Sequence, residues 1–252
     1  MPENENGRRT GRAHSVRWIG FGSVIATGIA LMVLVAPAAS AHSASVTVIK
    51  APYSGFESSS VTSDFQGCGG TATVARTPFF NLTTGYAFLV AQANSTSCGK
   101  TNSSAAVYSE PEYASNVLAI PTGHGSIKEE WTVTFSIHLV ATPGASGSAY
   151  AEAQVYLYSY VYDSTKNTYI DTSAAGSTSN SITSGSLTKT FTGVKLVDYL
   201  NGTFAATDSY YLYAAIGIEA YAETSTGHGV AGAYVNAGRS GEFAKLASIT
   251  VP

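Results

Sequence analysis

Alternation of apolar and polar residues dominates the chain and predicts β-strands. In the stretch 131–139 every second residue from Trp131 to Leu139 is apolar, and the residues between them are Thr, Ser or His. A strand with this pattern buries one face and exposes the other. The stretches 148–163 and 209–223 alternate in the same way. Because turn-forming residues follow at 142–147 and 225–229, we predict two hairpins, one joining 131–139 to 148–163 and one joining 209–223 to 230–235.

Shorter strand candidates occupy much of the remaining chain. They are 45–50, 71–77, 84–93, 104–109, 167–171, 186–192 and 245–251. The segments 113–119 and 194–200 could each hold a helical turn, and the Ser/Thr/Gly-rich stretch 172–186 is interpreted as a long surface loop. No longer helix is supported by a 3.6-residue apolar repeat. About ten strands predict an all-β fold, namely an antiparallel β-sandwich of jelly-roll-like type, with a closed barrel as the alternative.

The N-terminal segment has the order of a secretory signal. An arginine-containing start is followed by an uncharged apolar run at 19–35, and Ala39 and Ala41 supply the small residues of a cleavage site. We predict a signal peptide over 1–41 and a single β-sandwich domain over 42–252. The alternative is an uncleaved membrane anchor, since about 17 apolar residues nearly cross a hydrocarbon core of about 30 Å. Both interpretations predict an extracellular or cell-surface protein.

Composition narrows the class of protein. The 252 residues include 13 basic and 16 acidic ones, and 44% are hydrophobic, which is typical of a folded domain and not of a disordered chain. The net charge of −3 gives no electrostatic basis for binding nucleic acid. Two cysteines and five scattered histidines exclude a Cys-rich zinc module. We therefore expect no nucleic-acid partner, no metal and no cofactor.

The cysteines and sequons fit an exported chain. Cys68 and Cys98 lie in turn-like Gly- and Ser-rich contexts, so a disulfide between them is the default expectation outside the cytosol. Four Asn-x-Ser/Thr sequons predict glycosylated surface loops. They begin at Asn81, Asn94, Asn102 and Asn201.

Tyrosine is the most informative residue type. Nine of the 16 tyrosines lie in the two stretches 148–163 and 209–223, mostly on the face opposite the alanines. The ligand-binding candidates on this face are Tyr156, Tyr158, Tyr160, Tyr211, Tyr213, Tyr221 and Gln154. Aromatic rings stack on sugars while hydroxyl, amide and carboxylate groups bond to sugar hydroxyls, so a glycan is one candidate partner and a surface protein another. The structural alternatives are a stabilising cross-strand ladder, or tyrosines that fill the space between the sheets because alanines are small.

Candidate catalytic chemistry is sparse. Glycoside hydrolysis needs two carboxylates about 5 to 10 Å apart, and Glu152 and Glu219 are weak candidates if their strands are neighbours. Glu129 and Glu130 point to opposite faces, and we expect solvated charges there. The tetrapeptide Thr-Gly-His-Gly occurs at 122–125 and at 226–229, where turn chemistry is the simpler account than a loop presenting an imidazole.

The sequence thus favours an exported, non-enzymatic β-sandwich protein at the cell surface or outside the cell. The more specific form of this prediction is a protein that binds carbohydrate through the tyrosine-rich sheet face. One alternative is a structural or adhesive surface protein that associates with itself through exposed strand edges. The second alternative is a secreted glycoside hydrolase of jelly-roll type that uses Glu152 and Glu219.

Overall fold

Two antiparallel β-sheets packed as a sandwich form the folded part of the chain in the computed structural model, and the predicted fold class is confirmed. The structure describes residues 46–73, 77–99, 101–173, 177–238 and 241–252, so the predicted signal segment 1–41 lies outside the described residues. The described residues contain fifteen strands and not about ten. None of their segments is a helix long and apolar enough to cross a membrane.

Eight strands form one sheet and seven form the other. The eight-stranded sheet contains β1 (Thr47–Ile49), β3 (Thr71–Thr73), β4 (Phe79–Phe80), β5 (Tyr86–Thr96), β7 (Gly123–Thr142), β12 (Gly185–Phe204), β14 (Val230–Ala237) and β15 (Phe243–Val251). The seven-stranded sheet contains β2 (Gly55–Gln66), β6 (Ser103–Ser115), β8 (Ala149–Leu157), β9 (Ser159–Asp163), β10 (Thr168–Ser173), β11 (Thr178–Ile182) and β13 (Tyr210–Thr224). In this second sheet β13 is central, with β6 on one side and both β8 and β9 on the other.

The two predicted hairpins are wrong, because both connections cross between the sheets. β7 lies in the eight-stranded sheet and β8 in the seven-stranded sheet, and β14 and β13 are separated in the same way. Alternation identifies the buried face of a strand but not its hydrogen-bonded neighbour. The two crossing loops pack on each other: the Ser225 amide donates to the Ser148 carbonyl at 2.9 Å. Gly144 and Gly147 lie so close to the backbone of Gly227 and Thr226 that neither position has room for a side chain.

Several segments differ from their predicted structure. Residues 113–115 lie in β6 and residues 194–200 lie within β12, so the expected helical turns do not form. The expected loop 172–186 contains β11, and β2 has no counterpart among the predicted strands. Both strands lie at sheet edges and are rich in Ser and Thr. β2 lacks apolar alternation because almost none of its surface is buried, and β11 has a single apolar residue, the half-buried Ile182.

The core is built from the apolar faces of both sheets. β7 contributes large side chains, among them Trp131, Phe135 and Leu139, all at most 2% exposed. The alanine face of β8, which includes Ala151, points into the same core. The alternate positions of β8 therefore point outward, and the alternative in which its tyrosines fill the space between the sheets is wrong.

Two carboxylates are also buried between the sheets. Glu129 of β7 lies opposite Asp198 of β12, and both are fully buried, so the expectation that Glu129 is solvated is wrong. Glu130 lies on the outer face, as expected of an alternating strand. The indole of Trp131 and the hydroxyl of Ser159 hydrogen-bond to the Glu129 carboxyl. Burial, reinforced by the nearby Asp198, raises the pKa of Glu129 to about 8.

Candidate functional site

Outward side chains of the seven-stranded sheet form one aromatic surface, which we call the tyrosine face. Its tyrosines are Tyr108, Tyr150, Tyr156, Tyr158, Tyr160, Tyr162, Tyr169, Tyr211, Tyr213 and Tyr221. Pairing of β9 with β13 places Tyr160 opposite Tyr213 and Tyr162 opposite Tyr211. Tyr210, on the other side of β13, is buried in the core. Period-two geometry and this register therefore gather the tyrosines of separate strands on one side of the sheet.

Tyrosine rings at one end of the face border an open cleft of about 430 Å³. This tyrosine cleft is lined by Tyr160, Tyr162, Asn167, Tyr169 and Tyr213. The rings of Tyr160 and Tyr213 are stacked, with centroids 4.5 Å apart and planes 14° apart. The ring of Tyr169 meets Tyr160 edge-on at 5.2 Å. The cleft therefore has an aromatic wall whose rings hold one another in place.

Tyr156 lies flat across the middle of the face. It is opposite Gly217 in the register, and a Cβ at Gly217 would stand only 2.3 Å from its ring. The ring thus occupies the space that a side chain on β13 would fill, and its hydroxyl reaches the Glu110 carboxylate on β6 at 2.5 Å. Burial and the charge of Glu110 raise the pKa of Tyr156 above its ordinary value.

Phenol hydroxyls across the face donate to carboxylates. The pairs are Tyr150 with Glu152 (2.7 Å), Tyr156 with Glu110 (2.5 Å), Tyr160 with Glu112 (3.4 Å), Tyr221 with Glu223 (2.9 Å) and Tyr108 with Glu219. Burial and the Glu219 carboxylate raise the pKa of Tyr108 to about 12. These bonds use the protons of five of the ten phenols, whose oxygens can still accept hydrogen bonds from a ligand.

The face is also negatively charged. Its carboxylates are Asp64, Glu110, Glu112, Glu152, Glu219 and Glu223. The seven described strands of this sheet contain no lysine or arginine. Without cations on these strands, the field over the tyrosine face opposes an approaching anion.

All seven sequence-predicted ligand-binding residues lie on the tyrosine face. Whether they bind a ligand stays a prediction. Sequence reasoning missed the β6 contribution, which consists of Tyr108, Glu110 and Glu112. The spacing of two residues between them is the sequence signal that could have found them, because it places all three on one face of a strand. Pro111 argues against a strand interior because it lacks an amide hydrogen, so the predicted strand ends at 109.

The two weak catalytic candidates share a face without lying opposite each other. Glu152 is opposite Tyr221, whereas Glu219 is opposite Gln154, so the two carboxylates are diagonal neighbours on adjacent strands. Burial raises the pKa of Glu219, and the Glu152 charge adds to this effect while the Tyr108 hydroxyl opposes it. A catalytic role for the pair stays a prediction.

The other sequence-predicted residues lie away from the tyrosine cleft. The structure contains the expected Cys68–Cys98 disulfide, with Cα atoms 6.1 Å apart, joining the segments that follow β2 and β5. Three of the sequon asparagines are exposed, and Asn94 is half-buried on β5. Use of the sequons stays a prediction.

The two Thr-Gly-His-Gly segments have different structures. Residues 226–229 form a turn with positive φ at Gly227 and His228. In the other copy, Gly123 to Gly125 belong to β7, so the expected turn there is wrong. His124 lies there with its Nδ1 atom 3.1 Å from the Thr203 hydroxyl. No group of three or more metal-ligating side chains occurs among the described residues.

Comparison with known proteins gives weak structural likenesses. No protein-family model and no curated protein matches the chain. The fold is similar to a family 11 carbohydrate-binding module of the cellulosomal cellulase Lic26A-Cel5E of Clostridium thermocellum, with a TM-score of 0.19 and 10% identity over 81% of this chain and 96% of that one. It is also similar to a structure of the infectious bursal disease virus Gx strain, with a TM-score of 0.14 and 11% identity over 81% of this chain and 40% of that one.

Proposed function

We propose that the chain is an exported, non-enzymatic protein that binds carbohydrate through the tyrosine face. The observation that carries this proposal is the tyrosine cleft, in which the stacked Tyr160 and Tyr213 rings and the edge-on Tyr169 ring border a space of about 430 Å³. A volume of this order accommodates a small ligand or part of a polymer.

The chemistry of the face suits polyhydroxylated ligands. Ring faces bury the C–H surfaces of a pyranose, and phenol and carboxylate oxygens accept hydrogen bonds from its hydroxyls. Ring contacts and phenol–carboxylate bonds already hold the tyrosines in place before a ligand arrives. Binding then costs less side-chain entropy than it would on a surface of mobile groups.

Charge narrows the class of glycan. The six carboxylates of the face repel sulfate and uronate groups, since no lysine or arginine on these strands offsets them. Neutral polysaccharides and those with amino groups are compatible with the face. The proposal therefore specifies a neutral or amino-bearing glycan.

Affinity electrophoresis tests this proposal. The panel consists of glucans, mannans, xylans and galactans. At least one of these neutral polysaccharides should make the chain migrate more slowly than it does in a plain gel. Combining Tyr158→Ala with Tyr213→Ala should abolish the retardation, because it removes the 45%-exposed ring and one ring of the stacked pair. Tyr199→Ala is the matched control, since Tyr199 is 56% exposed on the other sheet. Equal retardation of the double variant and the wild type would reject the tyrosine face as the binding surface.

We extend the proposal to the location of the protein. The leader at 1–41 directs the chain out of the cytoplasm, and residues 42–252 act at the cell surface or outside the cell. Mass spectrometry of the exported chain should find His42 as its first residue. A cell-associated chain that keeps residues 1–41 would support the anchor alternative instead.

Self-association is the second candidate function, and strand β2 favours it. β2 is a twelve-residue edge strand that, among the described strands, is hydrogen-bonded to β6 alone, and nearly all of its residues are exposed. Phe56, Val61 and Phe65 on this strand are 69%, 45% and 64% exposed. A long edge with unpaired backbone groups and exposed apolar side chains is a template for strand addition.

Sedimentation velocity over a wide range of concentration tests the second candidate. The wild type should form dimers or larger species as its concentration rises, and Val61→Lys should shift it towards monomer because it places a charge on the edge. Thr183→Lys, in the exposed turn between β11 and β12, is a control for added charge away from the sheet edges. A wild type that is monomeric at every concentration would eliminate this candidate.

A further inference from the structure

The outer face of the eight-stranded sheet has a hollow over Gly232. Gly232 lies within β14, where the register with β5 and with β7 continues through it without a bulge. Its φ lies outside the left-handed region, so the backbone does not require glycine at this position. A glycine inside a regular strand weakens the sheet and marks a place where a ligand or another backbone approaches closely.

Three other glycines lie inside described strands and have a φ outside the left-handed region, and Gly232 differs from them. Side chains cover those glycines: Tyr156 covers Gly217, Ile170 covers Gly202, and Pro252 and Phe204 cover Gly125. At Gly232 the nearest atom to an added Cβ is the Oδ1 atom of Asn94, at 3.0 Å, and the only other atom within 4 Å is a backbone oxygen. The space over Gly232 is bordered by an amide and is not filled by an apolar side chain.

The lining of this hollow is uncharged and combines apolar with polar side chains around one aromatic ring. In the strand register Asn94 and Val140 flank Gly232, and Gln92 and His138 flank Tyr234. The cavity is about 280 Å³, and its lining contains no Asp, Glu, Lys or Arg. The Nδ1 atom of His138 lies 2.8 Å from the Thr188 hydroxyl, which holds the imidazole in place.

We infer that this hollow is a second ligand site, for one neutral sugar ring at the end of a glycan. The Tyr234 ring provides an aromatic surface for stacking, and the amides of Asn94 and Gln92 both donate to and accept from hydroxyls. The uncharged lining distinguishes the hollow from the acidic tyrosine face, which is on the other sheet. The inference rests on different residues from the proposed function and does not depend on it.

NMR titration of the ¹⁵N-labelled chain with glucose, galactose, mannose, N-acetylglucosamine and N-acetylgalactosamine tests the inference. Each sugar is added to about 100 mM, where a site with a dissociation constant of about 10 mM is about nine-tenths occupied. The inference requires a free Asn94 amide, so it and glycosylation of the Asn94 sequon exclude each other, and the chain is made in a host that adds no N-linked glycan. At least one sugar should shift the signals of Gly232, Tyr234 and the Asn94 side-chain amide in a saturable way.

Variants connect those shifts to the hollow. Gly232→Val fills the space on a strand that tolerates β-branched residues, and it should raise the dissociation constant at least tenfold. Tyr234→Ala should do the same by removing the ring. Thr132→Val, on the same face of β7 but outside the lining, should leave binding unchanged. Failure of every sugar to shift these three signals would overturn the inference, as would unchanged binding by folded Gly232→Val and Tyr234→Ala. Neither result bears on the tyrosine face, which the Tyr158→Ala and Tyr213→Ala variant tests separately.

Discussion

At the scale of single residues, the packing of Tyr156 depends on the glycine opposite it. Gly217→Ala places a methyl group about where the Tyr156 ring lies, so the ring must move and its bond to Glu110 is lost. We expect a loss of about 1 to 3 kcal/mol of unfolding free energy, the usual cost of overpacking. Urea denaturation measures this loss. In a Tyr156→Ala background the same glycine change should cost little, and equal costs in both backgrounds would contradict the packing argument.

A second prediction at this scale concerns Glu129 and the pH dependence of the unfolding free energy. Its folded pKa of about 8 lies above its ordinary value of 4.5, so the fold favours the protonated acid. Its contribution is fully present below about pH 4.5 and is lost as the pH rises to about 8. Glu129→Gln should flatten the fall in unfolding free energy over this interval, whereas Glu130→Gln, a change on the outer face of the same strand, should not. A wild type and a Glu129→Gln variant with parallel stability profiles would show that the buried carboxyl does not cause the fall.

At the scale of elements, the disulfide ties the segment after β2 to the end of β5. It closes a loop over a sequence separation of 30 residues. Replacing both Cys68 and Cys98 with Ser should lower the unfolding free energy by about 3 to 4 kcal/mol, because the unfolded chain regains the entropy of the open loop. Guanidinium denaturation checks this value. An unchanged midpoint, with unchanged denaturant dependence, would show that the bond adds no stability.

Strand elements were predictable from sequence where one face is buried, as in β7, β8 and β13. Their partners were not predictable, because alternation carries no information about the neighbouring strand. Edge strands such as β2 lack an alternating pattern since neither of their faces is covered. The outward tyrosines of the candidate site followed from alternation, whereas Glu110 and Glu112 required the pairing of β6 with β13.

At the scale of the whole molecule, charge separates the two outer surfaces. The strands of the tyrosine face carry six outward carboxylates and no lysine or arginine, whereas Lys128, Lys195 and Lys245 lie on strands of the other sheet. We expect anionic polysaccharides such as alginate to be bound at least tenfold more weakly than a neutral glycan of similar length. Raising the salt concentration should narrow this difference, because ions screen exposed charges. Stronger retention of alginate than of neutral glycans would contradict the charge argument.

Ring-labelled tyrosine provides the most direct test of carbohydrate binding at the tyrosine face. With ¹³C-labelled tyrosine rings assigned by single substitutions, NMR spectra are recorded while the chain is titrated with the polysaccharide that retards it most in affinity gels. Shifts should concentrate on Tyr160, Tyr162, Tyr169 and Tyr213, the rings that line the cleft, and Tyr199 should not respond. Binding that leaves these four ring signals unmoved, or a panel in which no polysaccharide binds at all, would contradict the account.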